Sequence, residues 1–129
     1  LTADSTMLRD PGMYYSVSEM KELIRYCEER YIRFVLEIDM PGHSAAFERA
    51  MGVSMQSEKG TQYMQKILRT VATTLPIKYI HIGGDEVTIS NLGFLPAMTR
   101  LLDSLGIESL GWSPGGNLAN STIHQLWMS

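Results

Sequence analysis

Apolar residues recur along this chain with two alternating periods, and that alternation outlines its architecture. Ser16 with Glu19 three residues on has the spacing of a capping box. Met20, Leu23, Ile24, Cys27 and Tyr31 then return at helical spacing, which predicts a helix with one apolar stripe. Ile32 to Asp39 follows as a strand, closed by Met40-Pro41-Gly42, and a short helix is expected from Ser44 to Met51. Met64, Ile67, Leu68, Val71 and Leu75 mark a second long helix, which Pro76 ends. Lys78 to Ile82 reads as a strand stopped by Gly83-Gly84. Asn91 is expected to cap a helix through Leu105, with Gly106 as its C-terminal signal. Ile107 to Trp112 and Thr122 to Trp127 read as two weaker strands. Residues 1–15 lack periodicity and include the turn signal Asp10-Pro11-Gly12, so they read as a loop.

Strands that alternate with helices imply βαβ units and a parallel sheet. Phe34, Leu36 and Ile38 share one strand face, as do Ile80 and Ile82, and these faces should pack on the helices. The opposite faces carry Glu37 and Asp39, and Tyr79, His81 and Asp85. A face this polar does not suit the apolar second side of a doubly wound sheet. It suits the interior and mouth of a (β/α)8 TIM barrel, where functional residues gather at the C-terminal strand ends. The expected fold class is therefore α/β, a partial (β/α)8 barrel segment with about four parallel strands, residues 1–129 forming one such segment. Four strands do not close a barrel. The chain is expected either to be a segment of a larger protein or to borrow strands from another copy, its free edges inviting self-association.

Composition narrows the picture without changing it. A 44% hydrophobic, 19% charged chain is ordinary for a globular domain. The net charge of −3, with scattered Lys and Arg, gives no case for nucleic acid or an anionic membrane. No apolar run reaches the ~20 residues of a transmembrane helix. The opening LTADSTMLRDPG lacks the basic and apolar regions of a signal peptide, which leaves open one lying upstream or already removed. A single cysteine, Cys27, excludes an internal disulfide framework and a cysteine metal cluster, and its place on the first apolar stripe predicts a buried thiol.

Two segments carry candidate chemistry. His81-Ile82-Gly83-Gly84-Asp85-Glu86-Val87 sets two carboxylates straight after two glycines at a strand end. Neighbouring residues on a regular strand point to opposite faces, but glycines open backbone angles closed to other residues. Asp85 and Glu86 can then reach one pocket, where two carboxylates in different environments suit an acid/base role for one and an orienting role for the other. The same pair also fits a solvated loop or a helix N-cap. Glu37-Ile38-Asp39-Met40-Pro41-Gly42-His43-Ser44 ends the neighbouring strand, with His43 just past a Pro-Gly turn, as a catalytic or a structural histidine. Glu37 and His81 also fit a charged or hydrogen-bonded pair inside the barrel. Trp112 and Trp127 each end an expected strand, as core residues or as a stacking wall for a sugar ring.

In order and spacing, these two runs, with the Gly-Trp and Gln-Leu-Trp ends that follow, resemble glycoside hydrolase family 20, the β-N-acetylhexosaminidases. Tyr15 and the run Arg30-Tyr31-Ile32-Arg33 are also similar, and the likeness covers most of residues 13–129. The resemblance implies hydrolysis of terminal β-linked N-acetylhexosamine from a glycan. Glu86 would be the general acid/base, and Asp85 would hold the substrate's acetamido N–H. The acetamido oxygen would be the nucleophile, in a retaining, substrate-assisted reaction. His43 would support Glu86, with Trp112 and Trp127 lining the sugar pocket. Asp39 would be a substrate contact or, at the margin, a protein nucleophile. The family implies no metal and no cofactor, and a secreted, periplasmic or lysosomal protein.

The chain departs from the family pattern in two places. Ser113-Pro114-Gly115-Gly116 follows Gly111-Trp112 where the family usually has an acidic residue. The family's sugar-gripping arginine of the first strand and its last-strand contacts have no counterpart, as if the chain ran from about strand three to about strand six. Two other readings therefore stay open. One is a catalytically inactive carbohydrate-binding relative. The other is a metal-dependent hydrolase using Asp39, His43, Asp85 and Glu86 as ligands, whose mark would be sensitivity to a chelator.

Overall fold

The computed structural model describes residues 12–128. The element order is α1 (Val17–Glu28), β1 (Leu36–Met40), α2 (Ala45–Met51), α3 (Glu58–Thr74), β2 (Tyr79–Gly83), α4 (Phe94–Ser104), β3 (Glu108–Ser113) and β4 (Ile123–Leu126). The four strands form one parallel sheet in the order β1-β2-β3-β4, each beside its successor in sequence. That is the strand order of a barrel wall. Helices connect β1 to β2 and β2 to β3, as expected; β3 passes to β4 through residues 114–122 without one. Among the described residues, the outer edges of β1 and β4 have no strand partner.

The core lies between the sheet and the helices α3 and α4. Ile80 and Ile82 are fully buried on the helix-facing side of β2, against Met64 and Leu68 of α3 and Phe94, Met98 and Leu102 of α4. Methionines fill this layer at Met40, Met55, Met64 and Met98, a flexible side chain suited to irregular gaps between helix and sheet. Phe34, Leu36 and Ile38 pack half-buried against the same cluster. Where β3 and β4 meet α4, the core turns polar: the Ser109 hydroxyl stands 2.9 Å from that of Thr122, which lies 3.4 Å from that of Thr99. All three side chains are buried, so each satisfies the others where a lone hydroxyl would be costly.

The first helix begins as its sequence predicts and ends sooner. Ser16 accepts from the Glu19 amide and Glu19 accepts from the Ser16 amide, the full capping box. Of the expected stripe, however, only Ile24 is buried; Cys27 is half-buried, Leu23 is exposed, and Tyr31 is 100% exposed. Tyr31 lies beyond the helix at φ 57°, and the Ile32 amide closes back on the Cys27 carbonyl at 2.9 Å. This is a left-handed helix ending of the Schellman kind, usually built on glycine, and Tyr31 gave no such signal. The strand expected from Ile32 consequently starts only at Leu36.

The remaining helices follow their patterns closely. Ser57 caps α3 by accepting from the Gly60 amide, and a Cβ at Gly60 would overlap the Ser54 carbonyl oxygen. Asn91 acts three residues ahead of α4, its side chain accepting from the Gly93 amide and its carbonyl from the Phe94 amide. The expected cap is thus an Asx turn leading into the helix. Of the expected N-terminal turn, Gly12 is a turn residue at φ 82°, and Asp10 and Pro11 lie outside the described residues. No described helix is long and apolar enough to cross a membrane.

This distribution of burial is testable. Leu68→Ala should cost about 2–5 kcal/mol, the range for a fully buried leucine whose site cannot collapse. Leu23→Ala, at a 40% exposed position of α1, should cost less than about 0.5 kcal/mol. Denaturant midpoints measured for both variants check the contrast, and equal losses would place α1 in the core after all.

Candidate active site

The site forms where β1 and β2 end side by side. Glu37 pairs with His81 and Met40 with Gly83, so β1 takes three steps (37 to 40) where β2 takes two (81 to 83). The extra residue is an irregularity of the kind that re-aims a side chain at a strand end. It leaves the Asp39 carboxylate against the backbone of Gly83 and Gly84. A Cβ at Gly83 would overlap that carboxylate, and the Gly84 amide donates to Asp39 Oδ1 at 3.3 Å. Both glycines are left-handed, at φ 69° and 94°, as their sequence suggests.

The chain then delivers Asp85 and Glu86 to the same place. Glu86 itself has φ 46°, an uncommon angle for a residue with a Cβ and one often found at functional sites. From the other strand, the Pro41-Gly42 turn lies against this segment: a Cβ on Gly42 would come within 3.0 Å of Val87 Cβ and 3.1 Å of the Asp85 carbonyl oxygen. The turn leaves His43 at φ 49°, with its ring between two carboxylates. His43 Nδ1 stands 2.5 Å from Asp39 Oδ2, and His43 Nε2 stands 3.3 Å from Glu86 Oε2. Asp39, His43 and Asp85 each offer a ligand atom, and these atoms all lie within 4.8 Å of one another.

Asp39, His43, Asp85 and Glu86 therefore form one cluster, with unequal surroundings. The side chains of His43 and Glu86 are 51% and 59% exposed. Asp85 Oδ1 is shielded from solvent and accepts no hydrogen bond among the described residues. Both oxygens of Asp39, the expected substrate contact, are already used on protein, by the Gly84 amide and His43. The hydrogen bond and then the charge of Asp39 raise the His43 pKa above the usual histidine value of about 6.5, helped by Asp85 and Glu86 and opposed by desolvation. Two carboxylates and an imidazole are also donors that a divalent cation accepts. Binding one here would require replacing the proton shared by Asp39 and His43.

The tryptophans stand apart from this cluster. Trp112 stacks on His81, with ring centroids 4.6 Å apart, and its Nε1–H donates to Glu37 Oε1 at 3.0 Å. His81 Nδ1 accepts from the Gly83 amide at 3.0 Å, so it meets Glu37 as an acceptor, and Glu37 takes its hydrogen bond from Trp112. The expected Glu37–His81 pair is met as a contact of 4.0 Å, too long for a hydrogen bond, and the hydrogen bond to Glu37 comes from Trp112 across the sheet. Trp127 follows β4 and donates from Nε1 to the Pro114 carbonyl at 2.8 Å, which ties it to the β3–β4 loop. That loop also holds the glycine hinge. The Gly116 amide donates to the Gly84 carbonyl at 2.5 Å, and a Cβ on Gly115 would meet the same oxygen at 2.8 Å. Gly115-Gly116 was the visible signal for this contact, but only the fold reveals its partner.

Comparison with known proteins follows the same geometry. The glycosyl hydrolase family 20 catalytic domain matches residues 2–57 and 48–118. The chain is 26% identical to a β-hexosaminidase of Vibrio furnissii, over 97% of this chain and 28% of that protein. It is also 26% identical to a β-N-acetylhexosaminidase of Cellulomonas fimi, over 91% of this chain and 29% of the relative. Among solved structures, a mutant Streptomyces plicatus β-hexosaminidase in complex with its product GlcNAc superposes with a TM-score of 0.76 at 26% identity, over 92% of this chain and 29% of that one. An exo-β-N-acetylglucosaminidase of Vibrio harveyi in complex with N-acetylglucosamine shares the fold with a TM-score of 0.79 at 22% identity, over 90% of this chain and 26% of that one. The chain thus spans less than a third of the length of these relatives.

The His43 environment yields a titration with a definite sign. Its folded pKa is raised, so the pairing favours the fold fully below the unfolded value of about 6.5 and loses that contribution as pH rises through the folded value. NMR titration of the His43 imidazole should therefore give a midpoint above 6.5. Asp39→Asn should move it down, because the first cause of the shift is removed. An unmoved midpoint in that variant would show that Asp39 is not what holds the proton.

Proposed function

Because this chain belongs to glycoside hydrolase family 20, we propose that the protein carrying it hydrolyses terminal non-reducing β-linked N-acetylhexosamine residues with retention of configuration. The observation that carries the reading is the arrangement of His43 between Asp39 and Glu86, with Asp85 beside them. Glu86 is the general acid/base. It protonates the departing glycosidic oxygen and afterwards takes a proton from the attacking water. Protonated His43, kept so by Asp39, stabilises the carboxylate that Glu86 becomes when its proton leaves.

Asp85 accepts the substrate's acetamido N–H, a role that suits a shielded carboxylate oxygen with no other donor among the described residues. The acetamido oxygen attacks the anomeric carbon as the glycosidic bond breaks, and the cyclic oxazolinium ion is then opened by water. Asp85 and Glu86 are sequence neighbours on one strand end, a poor placement for flanking a scissile bond from opposite sides. Family 20 is among the groups in which the substrate supplies its own nucleophile. Asp39 is engaged with His43 and Gly84, so in this scheme it positions His43 and is not the nucleophile. Trp112 and Trp127 offer ring faces for the apolar side of a sugar, Trp127 from just past β4, where it is bonded to the β3–β4 loop.

Glu86→Gln should slow hydrolysis of substrates with poor leaving groups by roughly 10²–10⁴-fold. Aryl glycosides with activated leaving groups need less protonation and should suffer less. Steady-state rates on both substrate types check the assignment, and equal losses would remove Glu86 from the acid role.

The isolated 129-residue chain is a separate matter. Its sheet has open edges at β1 and β4, and Glu86 and His43 are more than half exposed, so water weakens the electrostatics of the pair. We expect little turnover of an activated aryl N-acetylglucosaminide and self-association through the strand edges. Mass in solution and an assay of the purified chain test this. A monodisperse monomer with turnover near that of family members would refute it.

A further inference from the structure

We propose that Gln56 is a positioning residue, the latch that holds the loop carrying Glu86 in its working conformation. This rests on the hydrolase reading for its kinetic consequence and on geometry alone for the latch itself. The upstream arm of the Glu86 loop is secured by β2, by the Gly84 amide on Asp39 and by the Gly116 amide on the Gly84 carbonyl. Among the described residues the Glu86 side chain has one polar partner, His43 at 3.3 Å, and its backbone angle is uncommon. Such a conformation persists only when its surroundings hold it. The downstream arm, 87–91, belongs to no helix or strand.

Gln56 closes that arm with both ends of its side-chain amide and with its backbone carbonyl. Its Oε1 accepts from the amides of Ser90 at 2.9 Å and Asn91 at 3.1 Å. Its Nε2–H donates to the Thr88 carbonyl at 3.0 Å, and its own carbonyl accepts from Asn91 Nδ2 at 3.0 Å. Both ends of the latch are themselves fixed. Gln56 immediately precedes Ser57, the cap of the 17-residue α3, whose hydroxyl donates to Ser54. Asn91 is the Asx-turn residue that leads into α4. A planar amide facing a run of backbone donors and acceptors is thus strung between two helix starts, one residue before the cap of α3 and two before that of α4. Nothing in this arrangement touches a reacting atom. Its effect is to fix where Glu86 points.

The test uses the protein that carries this chain, with two variants and two readouts. Amide hydrogen exchange at Ser90 and Asn91 should become fast in Gln56→Ala and stay slow in Gln56→Glu, which keeps the acceptor oxygen, while α3 and β2 stay protected in both. Gln56→Ala should lower kcat roughly 10- to 100-fold on substrates with poor leaving groups, the scale expected for displacing a catalytic group by about 1 Å. It should lower kcat less on activated aryl substrates, with KM within about two-fold, and Gln56→Glu should recover much of the loss. Unchanged exchange at Ser90 and Asn91 in Gln56→Ala would overturn the latch. Lost protection with unchanged kcat, or an equal loss on both substrate types, would overturn its role in positioning Glu86. A wild-type protein that hydrolyses no N-acetylhexosaminide would sink the hydrolase reading instead, and the exchange result then decides the latch by itself.

Discussion

The contact between the Asp39 carboxylate and the backbone of Gly83-Gly84 is the constraint from which the site follows. It requires two parallel strands to end at nearly the same height, a one-residue excess on β1, and the absence of a Cβ at Gly83. Once met, it sets three other features. The Gly84 amide has an acceptor, the chain can turn through two left-handed residues, and the next two side chains emerge beside those of the β1 turn. Any side chain at Gly83 would have to move the very carboxylate that holds His43.

Around that contact, the polar groups are arranged so that most are satisfied by a neighbour from another element. Glu37 accepts from Trp112 across the sheet, His81 Nδ1 accepts from its own strand's Gly83, and three hydroxyls close on one another beneath α4. The exceptions are informative. His81 Nε2, Asp85 Oδ1 and Asn117 Oδ1 are shielded from solvent without a partner among the described residues, the first two at the strand-end face and the third on the β3–β4 loop. Buried polar groups without partners are costly and concentrate where chemistry or binding supplies the missing bond. The helix-facing side of the same strand, Ile80 and Ile82, is by contrast dry and closely packed. One strand thus separates a rigid layer from a reactive one within the thickness of its pleat.

Rigidity is also graded along the segment that carries Glu86. β2 is paired on both sides, the Gly83-Gly84 hinge is clasped by β1 and by the β3–β4 loop, and the residues after Glu86 rest on the hydrogen bonds of Gln56, on Val87 against Gly42 and on Ile89 packed against the core. Precision at Glu86 therefore comes from elements remote in sequence, not from local regular structure. Loops positioned by a rigid scaffold are where catalytic groups usually sit.

By itself, the sequence determined the order of helices and strands, the core face of the first two strands and the two segments that meet at the site. Periodicity reports burial directly, so Ile80, Ile82, Met64 and Leu68 were legible as core, and the capping box at Ser16 and Glu19 located a helix start to the residue. The paired glycines announced an unusual turn because few other residues can make one. It misled where an ordinary residue does a glycine's work, as Tyr31 does at the end of α1, and where a helix has an apolar stripe but little to pack it on. Only the tertiary structure decided that Asp39 serves His43, that Glu37 takes a hydrogen bond from Trp112 besides its contact with His81, and that Gly116 and Gln56 brace the loop before and after Glu86. The physical reason is that those bonds join residues far apart along the chain. A single side chain's hydrogen-bond partners leave no periodic trace in a sequence, because they are set by the distances between strands and loops that hydrophobic burial brings together.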